Sequence, residues 1–139
     1  MISWLASALF LLTACGELKE LPTGPIDPDP IDQTATLTRV QTEIFTPTCA
    51  VLGCHDAFGN QSQLNLVRGA SHAQLVGRPS VQVSSVNRVQ PGQPDLSYLY
   101  RKILGTGITG DRMPQGSQPL SDAQRNLIRD WIRRGAPND

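Results

Sequence analysis

The chain has 139 residues, enough for one domain of ordinary size, and carries 12 basic and 12 acidic side chains. Its formal net charge of zero gives no indication of a nucleic-acid partner, and we expect none. The charges are unevenly placed, since acids predominate between Glu17 and Asp32 and bases predominate from Thr36 onward. Aromatic residues make up only 5% of the chain, so a domain of this size has little material for a core of its own.

Residues 1–14 are predicted to be a signal peptide. They contain no charged side chain, and residues 2–12 are almost wholly apolar. This run is shorter than the roughly 20 apolar residues that span a bilayer, and it fits the hydrophobic region of a signal peptide. The segment Leu12-Thr13-Ala14-Cys15 resembles the lipobox of bacterial lipoproteins. That resemblance implies that Cys15 is lipidated and becomes the mature N-terminus.

Residues 15–35 are predicted to be a lipidated cysteine followed by a tether rich in proline and acids. Such a composition keeps the chain extended and cannot bury enough apolar surface to fold. Two or three acyl chains on Cys15 would anchor the protein stably to a membrane. Gly16 follows the cysteine, and the sorting rule of bacterial lipoproteins then implies the outer membrane, with the protein facing the periplasm.

Residues 36–139 are predicted to form one mostly helical domain, whose first helix begins near Thr36. Pro47 is predicted to end this helix, because proline disfavours the helical conformation of the residue before it. The apolar positions recur at helical spacing. They are Leu37, Val40, Ile44 and Phe45.

The middle of the domain is predicted to contain short elements separated by turns. Ser71 is expected to cap a helix that Gly77 stops, and residues 81–89 alternate weakly, as an extended segment does. Pro91-Gly92 indicates a turn. A further helix opens at Asp95 or Ser97, is stopped by Gly105 and is followed by a long glycine-rich loop to Pro119. Its predicted inward residues are Leu96, Leu99, Tyr100, Ile103 and Leu104.

The last helix has the clearest signals. Ser121 is the predicted cap, Asp122 lies in the first turn and Gly135 ends the helix. Its predicted buried stripe is Leu127, Ile128, Trp131 and Ile132. The arginines of this helix suit a solvated face, contact with the acidic tether or a cofactor carboxylate, or steering of an acidic redox partner. They are Arg125, Arg129, Arg133 and Arg134.

Once Cys15 is assigned to the lipid, Cys49 and Cys54 remain as a pair in an oxidising compartment. A covalently held haem needs two thiols for its vinyl groups and an imidazole for its iron, and His55 directly follows the second cysteine. The usual spacing is C-x-x-C-H, whereas four residues separate these cysteines. The two extra residues must bulge outward, and Gly53 supplies a permissive backbone. The same pair also suits a simple disulfide with His55 as a bystander.

Met113 is the only methionine after the leader, and it precedes Pro114 in the glycine-rich loop. A structural methionine normally fills a gap on an apolar helix face, which this loop position does not offer. A thioether ligand for haem iron needs a soft donor on a stiffened loop, as found here. His72 is the only other histidine, and we expect it to be a surface or capping residue rather than an alternative axial ligand. Arg112 is a candidate for contact with a haem propionate.

The order of these features resembles that of class I cytochromes c. It is most similar to the cytochrome c-like domains with widened cysteine spacing, including the planctomycete-type cytochromes. The likeness covers about residues 36–137. The segments that carry it are Phe45-x3-Cys49, Cys49-x4-Cys54-His55, Arg88-Val89-x-Pro91-Gly92, Ser97-Tyr98-Leu99, Met113-Pro114 and Trp131-Ile132-x2-Gly135-Ala136.

The resemblance implies a mostly α fold with long loops around one covalent haem c per chain. It implies thioethers at Cys49 and Cys54, with His55 as proximal and Met113 as distal iron ligand. We therefore expect an electron-transfer protein, not an enzyme, that exchanges single electrons with redox protein partners. The alternative is a haem-free structural or binding lipoprotein with a Cys49–Cys54 disulfide. A peroxidase-like enzyme with an open iron site is a third option, against which a ligating Met113 argues.

Overall fold

The computed structural model describes residues 29–139. The predicted signal peptide, Cys15 and most of the tether lie outside the described residues. The helical elements are α1 (Leu37–Val40), which continues as a π-helical segment (Gln41–Cys49), a 3-10 turn (Gln61–Gln63), α2 (Ser71–Leu75), a second 3-10 turn (Pro94–Leu96), α3 (Tyr98–Leu104) and α4 (Asp122–Arg133).

The prediction of a mostly α fold is confirmed. Helices make up 39% of the described residues, and this part of the chain contains no sheet. Two isolated bridges, Val76 with Val89 and Pro79 with Asn87, join the ends of the loop that follows α2. Residues 81–89 therefore form bends and turns held by these bridges, and the prediction of an extended segment there is wrong.

Helical structure continues past Pro47, which was expected to end the first helix. The chain widens into a π-helical segment from Gln41 to Cys49, closed by a bond from the Ala50 N–H to the Phe45 carbonyl (2.7 Å). Proline in an α-helix removes one hydrogen bond and clashes with the carbonyl four residues before it. The wider π turn accommodates both effects, so helical structure extends as far as Cys49.

α2 and α3 also differ from expectation in detail. Ser71 is the first residue of α2 and not its cap, because its hydroxyl donates to the buried Oε1 of Gln41 (2.7 Å). α3 begins after Ser97 and ends at Gly105, whose φ of +80° is the left-handed conformation that glycine adopts readily. Its inward set was predicted only in part, since Leu96 and Leu104 are exposed. The buried residues of α3 are Tyr98, Tyr100, Lys102 and Ile103.

α4 agrees with its prediction and organises the core. Ser121 and Gln124 form a reciprocal capping box, which satisfies two backbone donors at the helix start. The predicted stripe is buried, and α4 packs against both α1 and α3. The resulting single core contains Val40, Ile44, Phe45, Leu66, Leu75, Val89, Ile103, Leu127, Ile128, Trp131 and Ile132.

The acidic segment before α1 is bound to α4. Arg129 pairs with Asp29, and Arg133 donates to the Asp29 carbonyl oxygen (2.9 Å). Ala35 is fully buried in the core. Contact between the α4 arginines and the acidic tether is therefore confirmed, and the folded part of the chain includes residues before the predicted boundary at residue 36. No helix within residues 29–139 is long and apolar enough to cross a membrane.

Candidate functional site: an apolar cleft between His55 and Met113

An apolar cleft, partly open to solvent, lies over the core. Cys49, His55 and Met113, which are far apart along the chain, all line it. Most of its wall is apolar. The apolar lining residues are Phe45, Leu64, Leu66, Leu75, Val81, Leu99, Ile103, Pro114, Leu120 and Ile128.

A second hollow shares Cys49, His55, Met113 and Lys102 with this cleft and adds Cys54 to its walls. The two hollows are thus adjoining parts of one depression. The structure therefore brings together the four residues singled out as haem-binding: the two cysteines, His55 and Met113.

The segment between the cysteines forms a compact outward bulge. The Cys54 N–H donates to the Val51 carbonyl (3.0 Å), and the His55 N–H donates to the Cys49 carbonyl (3.1 Å). Gly53 has φ +80°, and Leu52 is 87% exposed. The expected bulge at a left-handed glycine is confirmed. It lets a Cys-x4-Cys segment present Cys49 and His55 to the same cleft.

The His55 ring is oriented by two backbone carbonyls. Its Nδ1 lies 3.1 Å from the Gln61 oxygen and 3.2 Å from the Leu64 oxygen. Carbonyl oxygens only accept hydrogen bonds, so in the neutral ring Nδ1 carries the proton and Nε2 keeps its lone pair. Such a bond commonly fixes the tautomer and direction of a metal-binding histidine. Burial lowers the pKa of His55 and favours the neutral form that a metal requires, although the two carbonyl bonds partly oppose this effect.

The turn behind His55 is strained. Asn60, Ser62 and Gln63 have φ of 41°, 55° and 54°, which is a left-handed conformation that residues other than glycine seldom adopt. The Arg88 guanidinium contacts this turn and donates to the Ser62 oxygen (3.2 Å) and the Gln63 oxygen (3.0 Å). These two bonds hold the turn whose other carbonyls orient His55.

Both cysteines are free thiols in different surroundings. Burial, with a smaller contribution from the nearby Cys54, raises the pKa of Cys49 to about 12. Cys49 therefore stays protonated at neutral pH, unlike a nucleophilic or metal-binding thiolate. Cys54 is exposed at the outer part of the cleft. A site built for thiolate chemistry would need a lowered pKa at Cys49.

Two cations to which the sequence analysis assigned no role line the cleft. Lys102 is 7% exposed and its Nζ donates to the Thr109 oxygen (3.1 Å), while Arg88 lines the wall near His55. Within residues 29–139 no carboxylate forms an ion pair with either of them. Both residues thus bring positive charge close to an apolar cleft, which suits the carboxylates of a bound cofactor.

Two other candidates lie outside the cleft. Arg112 packs its side chain against Gly105, and its Nη1 is buried with no hydrogen-bond partner among the described residues. Arg112 is not among the residues that line the cleft, whereas Arg88 and Lys102 are, and its contact with a haem propionate stays a prediction. His72 directs its Nε2 to the Ala136 oxygen (3.0 Å), away from the cleft, and is not an alternative axial ligand.

The donor set suits haem better than a free metal ion. No group of three His, Cys, Asp or Glu side chains able to hold a metal occurs in the described part of the chain. A haem iron needs only axial ligands from the protein, and a histidine together with a methionine is one pair that serves in this way. No protein-family model, curated protein or solved structure matches this chain. The case for its chemistry therefore rests on its own residues.

Proposed function

We propose that this domain is a monohaem c-type cytochrome that carries single electrons between redox protein partners. In this proposal Cys49 and Cys54 form thioethers with the haem, and His55 and Met113 ligate the iron. The observation that carries the proposal is the convergence of Cys49, His55 and Met113 on one apolar cleft. Neither a disulfide-closed structural module nor a peroxidase-like enzyme requires that a lone loop methionine share such a cleft with a histidine.

The surroundings of these residues support the same chemistry. His55 presents the nitrogen that a metal needs, because two carbonyls occupy the other one. The apolar walls exclude water from the bound group, which raises the energy of any uncompensated charge there. Arg88 and Lys102 supply the positive charge that two propionates require.

When bound, the haem supplies a one-electron couple, and the chain's part is ligation, burial and docking. The neutral imidazole of His55 and the thioether of Met113 add no charge to the iron. Histidine and methionine together favour the reduced state and so give a high reduction potential. With both axial positions taken, the site suits electron transfer and not a peroxidase-like reaction.

The cellular setting is part of the proposal. Lipidation of Cys15 holds the protein on the membrane, and the prolines between it and the domain act as a spacer. The domain then faces the periplasm, where both haem attachment and a Cys49–Cys54 disulfide are chemically accessible. The covalent state of these two cysteines, thioethers to haem or a disulfide, therefore separates the cytochrome from the haem-free alternative.

The deciding experiment is a reduced-minus-oxidised visible spectrum of the full chain after expression with a c-type haem maturation system. A denaturing gel stained for haem accompanies it. We expect a sharp α-band in the reduced protein and haem that remains on the denatured chain. A colourless protein, lighter than the reduced chain by two hydrogen atoms, would instead establish the disulfide-closed lipoprotein.

Variants test the axial ligands. Met113→Leu keeps an apolar side chain but removes the sulfur, so the reduction potential should fall because methionine favours the reduced iron. His55→Ala should abolish the low-spin spectrum, whereas His72→Ala is the matched control and should leave the spectrum unchanged. An unaltered spectrum and potential in Met113→Leu would rule out Met113 as a ligand.

A further inference from the structure

Met113 lies in a loop that has little rigidity of its own. Residues 105–119 contain no helix or strand. Four glycines in it have positive φ: Gly105, Gly107, Gly110 and Gly116. Glycine-rich segments lose much conformational entropy when they are ordered. A ligand presented from such a loop needs anchors elsewhere in the fold.

The anchors come from α3 and act on Thr109, four residues before Met113. The Thr109 N–H donates to the Tyr98 hydroxyl oxygen (3.0 Å), and the Thr109 oxygen accepts from Lys102 Nζ (3.1 Å). Both backbone groups of one loop residue are thus bound by side chains of one helix. The Met113 N–H also donates to the Lys102 backbone oxygen (2.9 Å).

These anchors are buried and arranged on one face of α3. Tyr98 is 5% exposed and Lys102 is 7% exposed, so water competes little for their hydrogen bonds. They are four residues apart, which places them one turn apart along the same side of the helix. The Tyr98 hydroxyl also donates to Gln82 Oε1 (3.2 Å), which holds the hydroxyl in the direction that Thr109 needs.

From this arrangement we infer that Tyr98 and Lys102 are positioning residues for the distal ligand, because they fix the Met113 loop to α3 at Thr109, four residues before the ligand. The inference rests on the proposed function. A loosened loop would weaken ligation by Met113, and the reduction potential would fall, since methionine ligation favours reduced iron. Loss of the Lys102 charge near the cleft would by itself also lower the reduction potential. Substitution of Tyr98, which carries no charge, therefore provides the cleaner test.

Tyr98→Phe removes one hydroxyl and keeps the ring that lines the cleft. Tyr100→Phe is its matched control, because Tyr100 lies on the same helix and does not line the cleft. Lys102→Leu removes the second anchor without introducing another ligand for iron. In the full chain prepared without haem, amide hydrogen exchange of residues 105–113 should be about tenfold faster in Tyr98→Phe and in Lys102→Leu, because each variant loses a buried hydrogen bond to Thr109.

The second readout uses the haem-loaded protein. Tyr98→Phe should lower the reduction potential and weaken the charge-transfer absorption of methionine-ligated ferric haem, and Tyr100→Phe should change neither. Unchanged loop exchange in both α3 variants would overturn the inference. Faster exchange with an unaltered potential and absorption would reduce the anchors to a structural role and would also overturn it. A chain that takes up no haem overturns the proposed function, while the exchange rates still decide whether α3 holds the loop.

Discussion

At the scale of single residues, Arg88 does more than place a charge at the cleft wall. Its Nη1 donates to the Gln74 oxygen (2.9 Å), and its Nη2 donates to the Ser62 and Gln63 oxygens. One planar guanidinium therefore ties α2 to the strained turn that orients His55. Left-handed residues persist only where their surroundings hold them, and Arg88 is the side chain that does so here.

Arg88→Lys tests this role because it keeps the charge and removes the planar fork. A single ammonium cannot reach the Gln74 carbonyl together with the Ser62 and Gln63 carbonyls. We therefore expect a loss of about 2 kcal/mol in the free energy of unfolding of the haem-free chain, measured in urea. Exchange of the His55 Nδ1 proton, followed by nuclear magnetic resonance, should also become faster.

Arg78→Lys is the control for that substitution. Arg78 makes one side-chain bond, from Nε to the Ala73 oxygen (3.1 Å), and it is exposed. Its substitution should change the free energy of unfolding by less than about 1 kcal/mol. Equal effects of the two substitutions would show that Arg88 contributes only a general surface interaction.

The residues that bear the proposed chemistry were predictable for a specific reason. Cys49, Cys54 and His55 are adjacent in sequence, and Met113 is conspicuous as a lone methionine in a polar loop. The supporting residues were not predictable, because their partners are distant along the chain and are backbone atoms. Arg88 binds carbonyls of residues 62, 63 and 74, and no pattern of side chains indicates such contacts.

At the scale of elements, the π-helical segment depends on Gln41, which is 2% exposed. Its Nε2 donates to the Leu66 oxygen (2.9 Å) and to the Thr46 hydroxyl (3.1 Å), while its Oε1 accepts from Ser71 (2.7 Å). One amide thus connects the segment that carries Cys49 with α2 and with the chain that follows His55.

Gln41→Leu should destabilise the domain more than its loss of contacts alone suggests. The Leu66 oxygen and the Ser71 hydroxyl would remain buried without partners, and we expect a loss of about 3 kcal/mol in the free energy of unfolding in urea. Gln33→Leu is the same change at an exposed site and should have an effect below about 0.5 kcal/mol. A small effect at both positions would mean that water replaces the Gln41 amide.

Elements were predicted well where periodicity and caps agreed. α4 has a predicted cap at Ser121, a complete apolar stripe and a terminal glycine, and all three occur in the structure. The first helix was predicted too short, because the rule for proline assumes α-helical geometry and the chain changes to a π turn before Pro47. The prediction of Ser71 as a cap is wrong because its partner Gln41 is 30 residues away, and no local pattern indicates that contact.

At the scale of the whole molecule, the first residues of the described chain are joined to α4 through Asp130, which is 4% exposed. It accepts from Arg129 Nε (2.9 Å) and from the Asp32 N–H (3.2 Å), and it lies 3.6 Å from Arg133 Nη1. On the C-terminal side, the Asp139 side chain accepts from the Leu37 N–H (2.9 Å). The start of the domain is therefore fixed to α4 and to the C-terminal residues.

Asp130→Asn tests whether this junction stabilises the whole fold. The change keeps the shape of the side chain but removes the charge that two largely buried arginines face, so both lose a charge-assisted partner. We expect the free energy of unfolding in urea to fall by about 2 kcal/mol, because hydrogen bonds to charged groups exceed neutral ones in strength.

Asp122→Asn is the matched control at the other end of α4. Asp122 is paired with Arg125, but its side chain is 86% exposed, and an exposed pair in the first turn of a helix contributes less than about 1 kcal/mol. If Asp130→Asn is no more destabilising than Asp122→Asn, the junction merely orders the acidic segment. If it is markedly more destabilising, the contact between the acidic segment and α4 is part of the fold itself.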